Sequence, residues 1–391
     1  MQQGSHRAGQ PEVLVVSHGY EPIYERGFCN GLSDNHLAYV LVSSDRTDYA
    51  GLRPGARTLN LRGSQDNKRA KWKKRVNLLR YHLSLLWHVA FTRPLTVHVM
   101  GLIWPPLFVG VLEALWYRAF ARHYVLTVHD LLPHDHVTAA DRLLFHWSFR
   151  LAQTLVVHTT KMRDALIEQH GIAPERIIVM EHGIEPIAAT VRAPRRADDT
   201  WNILFFGKVM RYKGVDILLE ALAELPVDAR LVIAGVGVEP ALTRELEAAM
   251  ADHPRREHIT WHNRFIEESE LPGLFGTADV VVLPYRKIDQ SGILFQALRY
   301  GVPLVATRVG TFEHYVSEDV GELAASIDST AFREAMMRLN QRRAALTRDR
   351  VSGAGRRYEW QHTVKALAAL YPPDEAEGVD EGAQVGGRAL P

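Results

Sequence analysis

Two lysines follow a predicted strand in the glycine-flanked segment 207–214. The Lys208 and Lys213 side chains can converge on one anion, and Gly214 opens the next predicted helix near its positive end. A solvated basic turn is the alternative interpretation. The spacing therefore indicates either an anion site or an ordinary loop.

A short predicted helix follows Ser291 and ends at Gly301. An acid or serine caps its start, Gly301 suits a left-handed C-terminal position, and Pro303 prevents continuation. The amide N–H groups of its first turn can hold a phosphate without a charged side chain. An ordinary capped helix has the same spacing, so both interpretations stay open.

Two further loops follow predicted strands. Gly235 and Gly237 let the backbone approach a ligand closely, but Pro240 takes the third glycine position of the dinucleotide fingerprint, so an NAD site is poorly supported. Residues 127–136 contain three histidines and two aspartates. Nothing in them fixes the geometry of a metal site, so we expect one of these histidines to face a ligand and the others to be structural.

Composition limits the classes of protein that need to be considered. The chain has 391 residues and a mass of 44.1 kDa, more than one hydrophobic core usually organises. Its 46 Lys and Arg nearly balance 45 Asp and Glu, and the net charge of +1 gives no bulk attraction to nucleic acid. The single cysteine, Cys29, excludes an internal disulfide and a cysteine-built zinc site. We expect an unexported, cytoplasmic protein.

Short β-branched runs alternate with helix-length segments along the whole chain. The predicted strands are Val13–Val16, Tyr39–Val42, Thr96–Val99, Tyr124–Val128, Leu155–Val157 and Ile177–Met180 in the first half, then Ile203–Phe206, Arg230–Ala234, Ile259–Trp261, Val280–Leu283 and Leu304–Ala306. They are nearly all apolar, as strands covered on both faces are. The pattern predicts an α/β protein with two Rossmann-like doubly wound domains facing across a cleft, and ligands beyond the carboxyl ends of the strands.

Several motifs of the second half occur in the order found in glycosyltransferase family 4. They are Phe206-Gly207-Lys208, Lys213-Gly214-Val215-Asp216, Ala234-Gly235-x-Gly237, Ala278-Asp279-Val280-x-x-x-Pro284 and Gln296-Ala297-x-x-x-Gly301-x-Pro303. The chain resembles the donor-binding half of that family over residues 202–370, and His129 has the Thr-x-His-Asp context of its cleft histidine. The resemblance implies a GT-B fold, a retaining mechanism, a nucleotide-sugar donor and no required metal or other cofactor.

The resemblance also implies roles for particular residues. Lys208 and Lys213 would hold the donor diphosphate, whose negative charge grows as the sugar leaves. His129 would be catalytic and face the sugar and the entering hydroxyl. The implied donor-binding residues are Gly207, Lys208, Lys213, Gly235, Gly237, Ser291, Gly292, Ile293 and Gln296, the last at the ribose. The implied acceptor-binding residues are His18, Gly19, Tyr20 and His98.

Two positions depart from the family pattern, which has glutamates eight residues apart. Ile288 and Gln296 stand there in this chain. Gln296 can still hydrogen-bond a ribose hydroxyl pair. Three interpretations remain for the missing acid: Asp289 supplies the catalytic carboxylate, backbone N–H groups around Ser291 hold the sugar, or activity is reduced or lost.

The implied domains follow from the two halves. They are an N-terminal acceptor domain over 11–187, a linker over 188–200, a C-terminal donor domain over 201–350, a C-terminal helix over 351–371 that returns to the N-terminal domain, and a disordered tail over 372–391.

A basic segment, Lys68–Arg75, precedes an apolar run that reaches Trp87. Anionic lipid would attract such a helix start, which would place the protein peripherally on the inner face of the cell membrane. The alternative is a helix whose leucines and tryptophans join the first core. We expect no nucleic-acid partner, because the segment belongs to no recognisable binding module.

The predicted function is retaining transfer of a hexosyl group from a UDP- or GDP-sugar to a saccharide or lipid-linked saccharide, in bacterial-type polysaccharide or glycolipid synthesis. A nucleotide-sugar 2-epimerase shares the architecture, but it needs carboxylates near the sugar C2 that the sequence does not place. A non-catalytic nucleotide-sugar-binding subunit is the third hypothesis, motivated by Ile288 and Gln296.

Overall fold

A computed structural model describes residues 13–19, 22–66, 68–102, 107–131, 138–186, 200–288 and 291–374. The chain divides into two compact units. Unit 1 comprises the residues up to Gly183 and those from Trp360 onward, and unit 2 comprises Ile184–Glu359. Each unit is built on one parallel sheet with intervening helices, which confirms the predicted pair of Rossmann-like α/β domains.

Unit 1 alternates strands and helices through most of its length. Its elements are β1 (Val13–Val16), α1 (Pro22–Asp34), β2 (Val40–Ser43), β3 (Arg57–Asn60), α2 (Lys71–Thr92), β4 (Thr96–Val99), α3 (Leu107–Phe120), β5 (His123–Val128), α4 (Ala139–Leu151), β6 (Thr154–Val157), α5 (Thr160–His170) and β7 (Ile177–Val179). The strands lie in the order β3-β2-β1-β4-β5-β6-β7. The direction of winding therefore reverses between β1 and β4.

The β1 strand shows why these runs are apolar throughout. Leu14 and Val16 pack into the core on one face of the sheet, whereas Val13 and Val15 pack into the core on the other. Alternate residues of a strand point to opposite faces, so a strand covered on both faces carries no polar side.

Unit 2 repeats the arrangement with a smaller sheet. Its elements are β8 (Trp201–Phe206), α6 (Val215–Ala223), β9 (Ala229–Ala234), α7 (Pro240–Ala251), β10 (Ile259–His262), α8 (Leu271–Thr277), β11 (Val280–Leu283), α9 (Gly292–Tyr300), β12 (Leu304–Thr307), α10 (Phe312–Tyr315), β13 (Gly321–Ala324), α11 (Ser329–Gln341) and α12 (Arg348–Gly355). The strand order is β10-β9-β8-β11-β12-β13. The winding reverses between β8 and β11, and such a switch point is where open α/β sheets bind ligands.

The chain returns to unit 1 through α13 (Trp360–Thr363) and a 3₁₀ helix over Val364–Leu370. We predicted one C-terminal helix over 351–371, but the segment is divided into short pieces that pass from one unit to the other. Trp360, Val364 and Tyr371 pack into a core of unit 1. The described start of the predicted tail is ordered, since the backbone at 372–374 hydrogen-bonds to residues 36–38.

Each predicted strand is present within two residues of its expected bounds. The sequence did not reveal β3 and β13, which are the outer strands of their sheets and carry polar residues. Most of the predicted linker and tail, residues 187–199 and 375–391, lies outside the described residues. Of the helices that the structure describes, none is both long enough and apolar enough to cross a bilayer.

Candidate functional site

Lys213 lies at the switch point of the unit 2 sheet, in the loop after β8. A 3₁₀ turn over Arg211–Lys213 ends at Gly214, whose φ of 68° is left-handed. A β-carbon at Gly214 would lie 2.0 Å from the carbonyl oxygen of Pro284, so glycine lets this loop touch the loop after β11. The two loops that flank the switch point are thereby held together.

The Lys213 side chain is buried beside an aromatic ring. Its Nζ lies 5.5 Å from the ring centroid of Tyr285, which is itself buried. Burial, and then the nearby charge of Lys208, lower the pKa of Lys213 to about 8. Among the described residues no carboxylate pairs with Lys213. Because buried charges in proteins are normally paired, this ammonium group is a candidate binding point for an external anion.

The first turn of α9 approaches the same ammonium group. A β-carbon at Gly207, where φ is 103°, would lie 3.1 Å from Lys213 Nζ and 3.4 Å from Ile293 Cδ1. Ser291 precedes the helix, but its side chain does not cap it. Gly292, the first helical residue, has open space around its α-carbon. The structure therefore brings Lys213 together with a positively polarised helix start that the Ser291 side chain does not cap.

The arginines nearby already have carboxylate partners. Arg211 pairs with Glu245 at N–O distances of 2.7 and 2.5 Å, and Arg286 pairs with Asp216 at 2.8 and 2.6 Å. These carboxylates raise the pKa of both guanidinium groups. Of the cations in the 207–214 loop, Lys213 and the exposed Lys208 are thus left for a ligand.

Gly235 and Gly237 let neighbouring loops pack closely, and their N–H groups already donate hydrogen bonds within the protein. A β-carbon at Gly235 would lie 2.1 Å from the carbonyl oxygen of Gly207, so the loops after β8 and β9 touch at their backbones. The N–H of Gly235 donates to the carbonyl of His262 at 3.1 Å, and that of Gly237 donates to the Asn263 side chain at 2.9 Å. Because both N–H groups already donate within the protein, any contact of these glycines with the nucleotide sugar would have to come from close backbone approach, and that contact stays a prediction.

Gln296 carries an unused hydrogen-bond acceptor. Its Oε1 is buried and has no partner within the part of the chain that the structure describes. Leaving such an atom unpaired costs about 1–3 kcal/mol, so it indicates where a ligand donor group can bind. Ile288 packs against the core of unit 2, which accounts for an apolar residue there. Asp289, the predicted catalytic acid, lies outside the described residues.

In unit 1, His129 follows β5 at the carboxyl edge of the sheet. Its Nε2 donates to the carbonyl oxygen of Met100 at 2.8 Å, and its ring meets that of Tyr24 edge-on at 4.9 Å. Donation through Nε2 makes Nδ1 the acceptor of the neutral ring. No described residue hydrogen-bonds to Nδ1, so a ligand hydroxyl can donate to it.

Two further histidines of this edge were missed by sequence reasoning. His158 follows β6 and His182 lies beyond β7, and their rings lie 5.7 and 5.3 Å from the Tyr24 ring. Burial lowers the pKa of His158 well below its usual value and that of His182 to about 4, so both are neutral near pH 7. Both histidines lie just beyond the end of a strand, as His129 does. That position is the sequence signal by which they could have been predicted.

His98 does not have the acceptor-binding role that we predicted. It lies within β4 and is fully buried, with Nδ1 2.5 Å from the Tyr371 hydroxyl and Nε2 2.8 Å from Thr127 Oγ1. Burial lowers its pKa to about 3. With both ring nitrogens engaged, His98 instead ties the returning C-terminal segment to the sheet.

The loop after β1 also points its histidine inward. His18 is 2% exposed, and its Nδ1 lies 2.6 Å from the hydroxyl of Tyr81 on α2. Burial lowers its pKa to about 4. The N–H of Gly19 donates to Ser17 Oγ. The side chain of His18 therefore does not reach an acceptor, which corrects its predicted role, and Tyr20 lies outside the described residues.

Within the described ranges, no three His, Cys, Asp or Glu residues are grouped closely enough to hold a metal ion. His134, Asp135 and His136, which belong to the motif considered for a metal, fall outside those ranges.

Two family models match the chain along the division between its units. Residues 7–183 match the glycosyl transferase 4-like domain, and residues 200–342 match glycosyl transferases group 1. The first match ends where unit 1 gives way to unit 2, and the second lies inside unit 2.

Curated relatives share part of their length with this chain. A D-inositol 3-phosphate glycosyltransferase from Xylanimonas cellulosilytica is 30% identical over 238 residues, which are 56% of this chain and 57% of the relative. A GDP-mannose:glycolipid 4-beta-D-mannosyltransferase from Xanthomonas campestris is 29% identical over 188 residues, 46% of this chain and 49% of the relative. The chain thus spans about half the length of the curated relatives it matches.

A solved structure matches nearly the whole chain. The Anabaena protein HepE in complex with UDP-glucose has a TM-score of 0.67 and covers 92% of this chain and 99% of its own. At 15% identity the match concerns the fold.

Proposed function

The chain belongs to the glycosyltransferase 4-like family and has the GT-B fold, and from this premise we propose that it transfers a hexosyl group from a UDP- or GDP-sugar to a saccharide or lipid-linked saccharide, with retention of configuration. The observation that carries the proposal is the buried Lys213 ammonium, which has no carboxylate partner among the described residues and lies beside the start of α9.

Unit 2 would bind the diphosphate of the donor. Cleavage of the bond between the anomeric carbon and the diphosphate oxygen leaves extra negative charge on the leaving group. Lys213, which is buried, and the N–H groups at the start of α9 are held in place before the reaction, so together with Lys208 they would stabilise the transition state more than the ground state. These groups supply positive charge from the protein itself, and we propose that the reaction needs no metal.

Gln296 would bind the nucleoside ribose. Its buried Oε1 lacks a partner among the described residues, and a ribose hydroxyl is a donor that can satisfy it. UDP and GDP share this ribose, so the contact does not select the base. GDP-mannose in the name of the mannosyltransferase and UDP-glucose bound to HepE support both bases as candidates.

Unit 1 would receive the acceptor. Nδ1 of His129 is an acceptor at a neutral, aromatic sheet edge, which suits an uncharged sugar hydroxyl better than an anion. The glycolipid in the name of the mannosyltransferase supports a lipid-linked acceptor. Such an acceptor would bring the protein to a membrane surface, where the basic segment Lys68–Arg75 would face anionic lipid.

A non-catalytic nucleotide-sugar-binding subunit is the second candidate. Ile288 packs against the core of unit 2 and cannot act as an acid, and Gln296 is uncharged. If Asp289 or the backbone at the start of α9 does not replace the missing carboxylate, the diphosphate site would bind donor without turning it over.

Calorimetry followed by turnover tests the proposal. UDP, GDP, ADP and their sugars are titrated into the protein in the presence of EDTA. We expect UDP or GDP to bind, and the matching sugar nucleotide to be consumed when a saccharide or glycolipid acceptor is added. Binding without turnover would support the subunit hypothesis, and conversion of the donor sugar without acceptor would indicate an epimerase. Failure of every nucleotide to bind would contradict all three nucleotide-dependent functions.

A further inference from the structure

The outer face of α2 exposes an unusual row of large apolar side chains. Tyr81, Leu85 and Val89 turn inward and are buried. The exposed set on the same helix is Trp72, Val76, Leu79, Leu83, Trp87 and Phe91, which are 57–80% exposed. Their spacing of three or four residues places them along one side of the helix. The alternative, in which the leucines and tryptophans of this helix join the first core, therefore holds for Leu78, Leu85 and Leu86 but not for the exposed set.

The charges of α2 are all of one sign. The helix contains no Asp or Glu, and its cations are Lys71, Lys73, Lys74, Arg75 and Arg80. Four of these lie in the first five residues, where the helix dipole disfavours positive charge. The cluster of four cations at the helix start therefore does not serve helix stability. Attraction to an anionic partner accounts for it.

The apolar surface continues on the next two helices. Leu112 and Leu115 of α3, and Leu143 and Trp147 of α4, are about half exposed. α3 packs against both α2 and α4, and the indole N–H of Trp116 donates to a backbone carbonyl of α2 at 2.9 Å. Beside α2 runs a groove of about 620 Å³ lined by apolar residues that include Leu59, Leu61, Trp87 and Phe91. Soluble monomers rarely expose a continuous apolar surface of this kind.

We infer that the outer face of α2 docks onto a bilayer that contains anionic lipid, with Trp72, Trp87 and Phe91 inserted into the interface between headgroups and acyl chains. A helix with an apolar face and clustered cations lies in the plane of such an interface. Indole rings favour this depth because one edge is polar and the body is apolar.

A second copy of the chain fits this face less well than a bilayer. In a twofold dimer the same patch meets itself. The cationic start of one α2 would then face either the cations or the apolar C-terminal half of the other, and neither part of the helix offers a carboxylate to compensate it. Anionic headgroups supply the complementary charge along the whole patch.

The docking face is connected to the loop after β1. On the inner side of α2, the Tyr81 hydroxyl lies 2.6 Å from His18, and His82 Nδ1 lies 2.6 Å from the buried carboxylate of Glu113 on α3. Docking would thus hold the unit 1 sheet edge at a defined distance from a lipid-linked acceptor. This consequence rests on the proposed function, whereas the docking itself does not.

Co-sedimentation with vesicles tests the inference without any substrate. The full chain is mixed with phosphatidylcholine vesicles, or with vesicles in which roughly one-third of the lipid is phosphatidylglycerol. We expect binding to the anionic vesicles and at least tenfold weaker binding to the neutral ones. The triple variant W72A/W87A/F91A should lose at least tenfold in affinity for anionic vesicles, and replacing Lys71 and Lys73 by Glu should lose more than tenfold, since each cation contributes roughly fivefold.

Two control variants distinguish a loss of docking from the general effect of removing an exposed aromatic side chain or reversing an exposed charge. F265A removes an aromatic side chain of unit 2 that is 66% exposed, and Lys161→Glu reverses an exposed charge on α5. Both should bind anionic vesicles as the unaltered chain does. All altered side chains are exposed, and unchanged far-ultraviolet circular dichroism and an unchanged melting temperature check that the variants are folded.

Three results would overturn the inference. They are absence of binding to anionic vesicles, equal binding by the folded triple variant, and a dimer in sedimentation equilibrium that W72A/W87A/F91A converts to monomer while vesicle binding stays unchanged. Nucleotide calorimetry fails or succeeds independently of these outcomes, so a failure of docking is distinguishable from a failure of the proposed function.

Discussion

The carboxyl edges of the two sheets have the same topology but opposite chemistry. In unit 2 the loops at the switch point bring Lys213 and the start of α9 together, with no carboxylate partner for Lys213 among the described residues. In unit 1 the same edge carries histidines that burial keeps neutral, His18, His158 and His182 among them, packed with aromatic rings. One edge is prepared for an anion and the other for an uncharged group.

This difference matches the division of labour that glycosyl transfer requires. The donor carries a diphosphate whose charge increases during reaction, while the acceptor presents a neutral hydroxyl. A fold that duplicates one α/β design can therefore specialise each copy by changing a few residues in the loops after its strands.

The largest expected effect comes from His129→Ala. Removing the acceptor nitrogen should reduce the rate of sugar transfer by roughly a hundredfold or more, because positioned proton acceptors contribute on that scale. Donor affinity should change by less than about twofold, since the residue lies in the other unit. Turnover and calorimetry on the same preparation provide the measurement. His362→Ala, an exposed histidine of α13, is the control. A fully active His129→Ala would remove His129 from the mechanism.

Lys213→Met should have the next largest effect. The methionine keeps the apolar stem beside Tyr285 and removes the charge, so UDP or GDP affinity should fall by roughly fiftyfold, the value of a charge-assisted hydrogen bond. The melting temperature without ligand should be unchanged or higher, because a buried charge has been removed. Lys161→Met, an exposed lysine of α5, should alter neither quantity. Unchanged nucleotide affinity in the folded Lys213→Met would refute the anion site.

The pH dependence of donor binding should distinguish the two edges further. Unliganded Lys213 loses its proton as pH rises through about 8, and an anion binds the protonated form better. Nucleotide affinity should therefore be constant below pH 8 and fall above it, by up to tenfold per pH unit. Lys208→Met removes the like charge that lowers the pKa of Lys213, so the fall should begin at higher pH. Calorimetry from pH 6 to 10 measures both, and a flat profile would contradict the assignment.

Gln296→Leu should give the smallest effect. Loss of one neutral hydrogen bond to ribose should weaken nucleotide binding by roughly fivefold. Inorganic pyrophosphate has no ribose and should bind the variant and the unaltered chain equally. Stability without ligand should not decrease, because the variant removes a buried oxygen that has no partner among the described residues. If pyrophosphate and UDP lose affinity to the same extent, Gln296 does not contact the ribose.

Local signals in the sequence were sufficient to predict the donor half. Gly207, Lys213 and Ser291 lie in the loops after β8 and β11 at the switch point, as their positions after predicted strands indicate. Gly301 ends α9 with the left-handed φ that was expected of it. Parallel topology then brings the ends of β8 and β11 together. Contacts between separate loops could not be predicted from the sequence. No local signal shows that the N–H groups of Gly235 and Gly237 already donate hydrogen bonds to other parts of the protein.

Prediction of the acceptor half was less successful for the same reason. His98 lies within a predicted strand and His129 directly follows one, and only the fold shows that Tyr371, from the far end of the chain, takes one nitrogen of His98. Helix α2 is apolar on both sides, so its periodicity predicts a helix without revealing which side faces the core.

Direct titration of Lys213 by NMR tests the central claim most closely. The ε-carbon signal, assigned by its loss in Lys213→Arg, is followed against pH with and without UDP or GDP. We predict a pKa of about 8 in the free protein and a clear upward shift when the nucleotide is bound. A pKa that no nucleoside diphosphate changes would show that this ammonium group does not hold the donor.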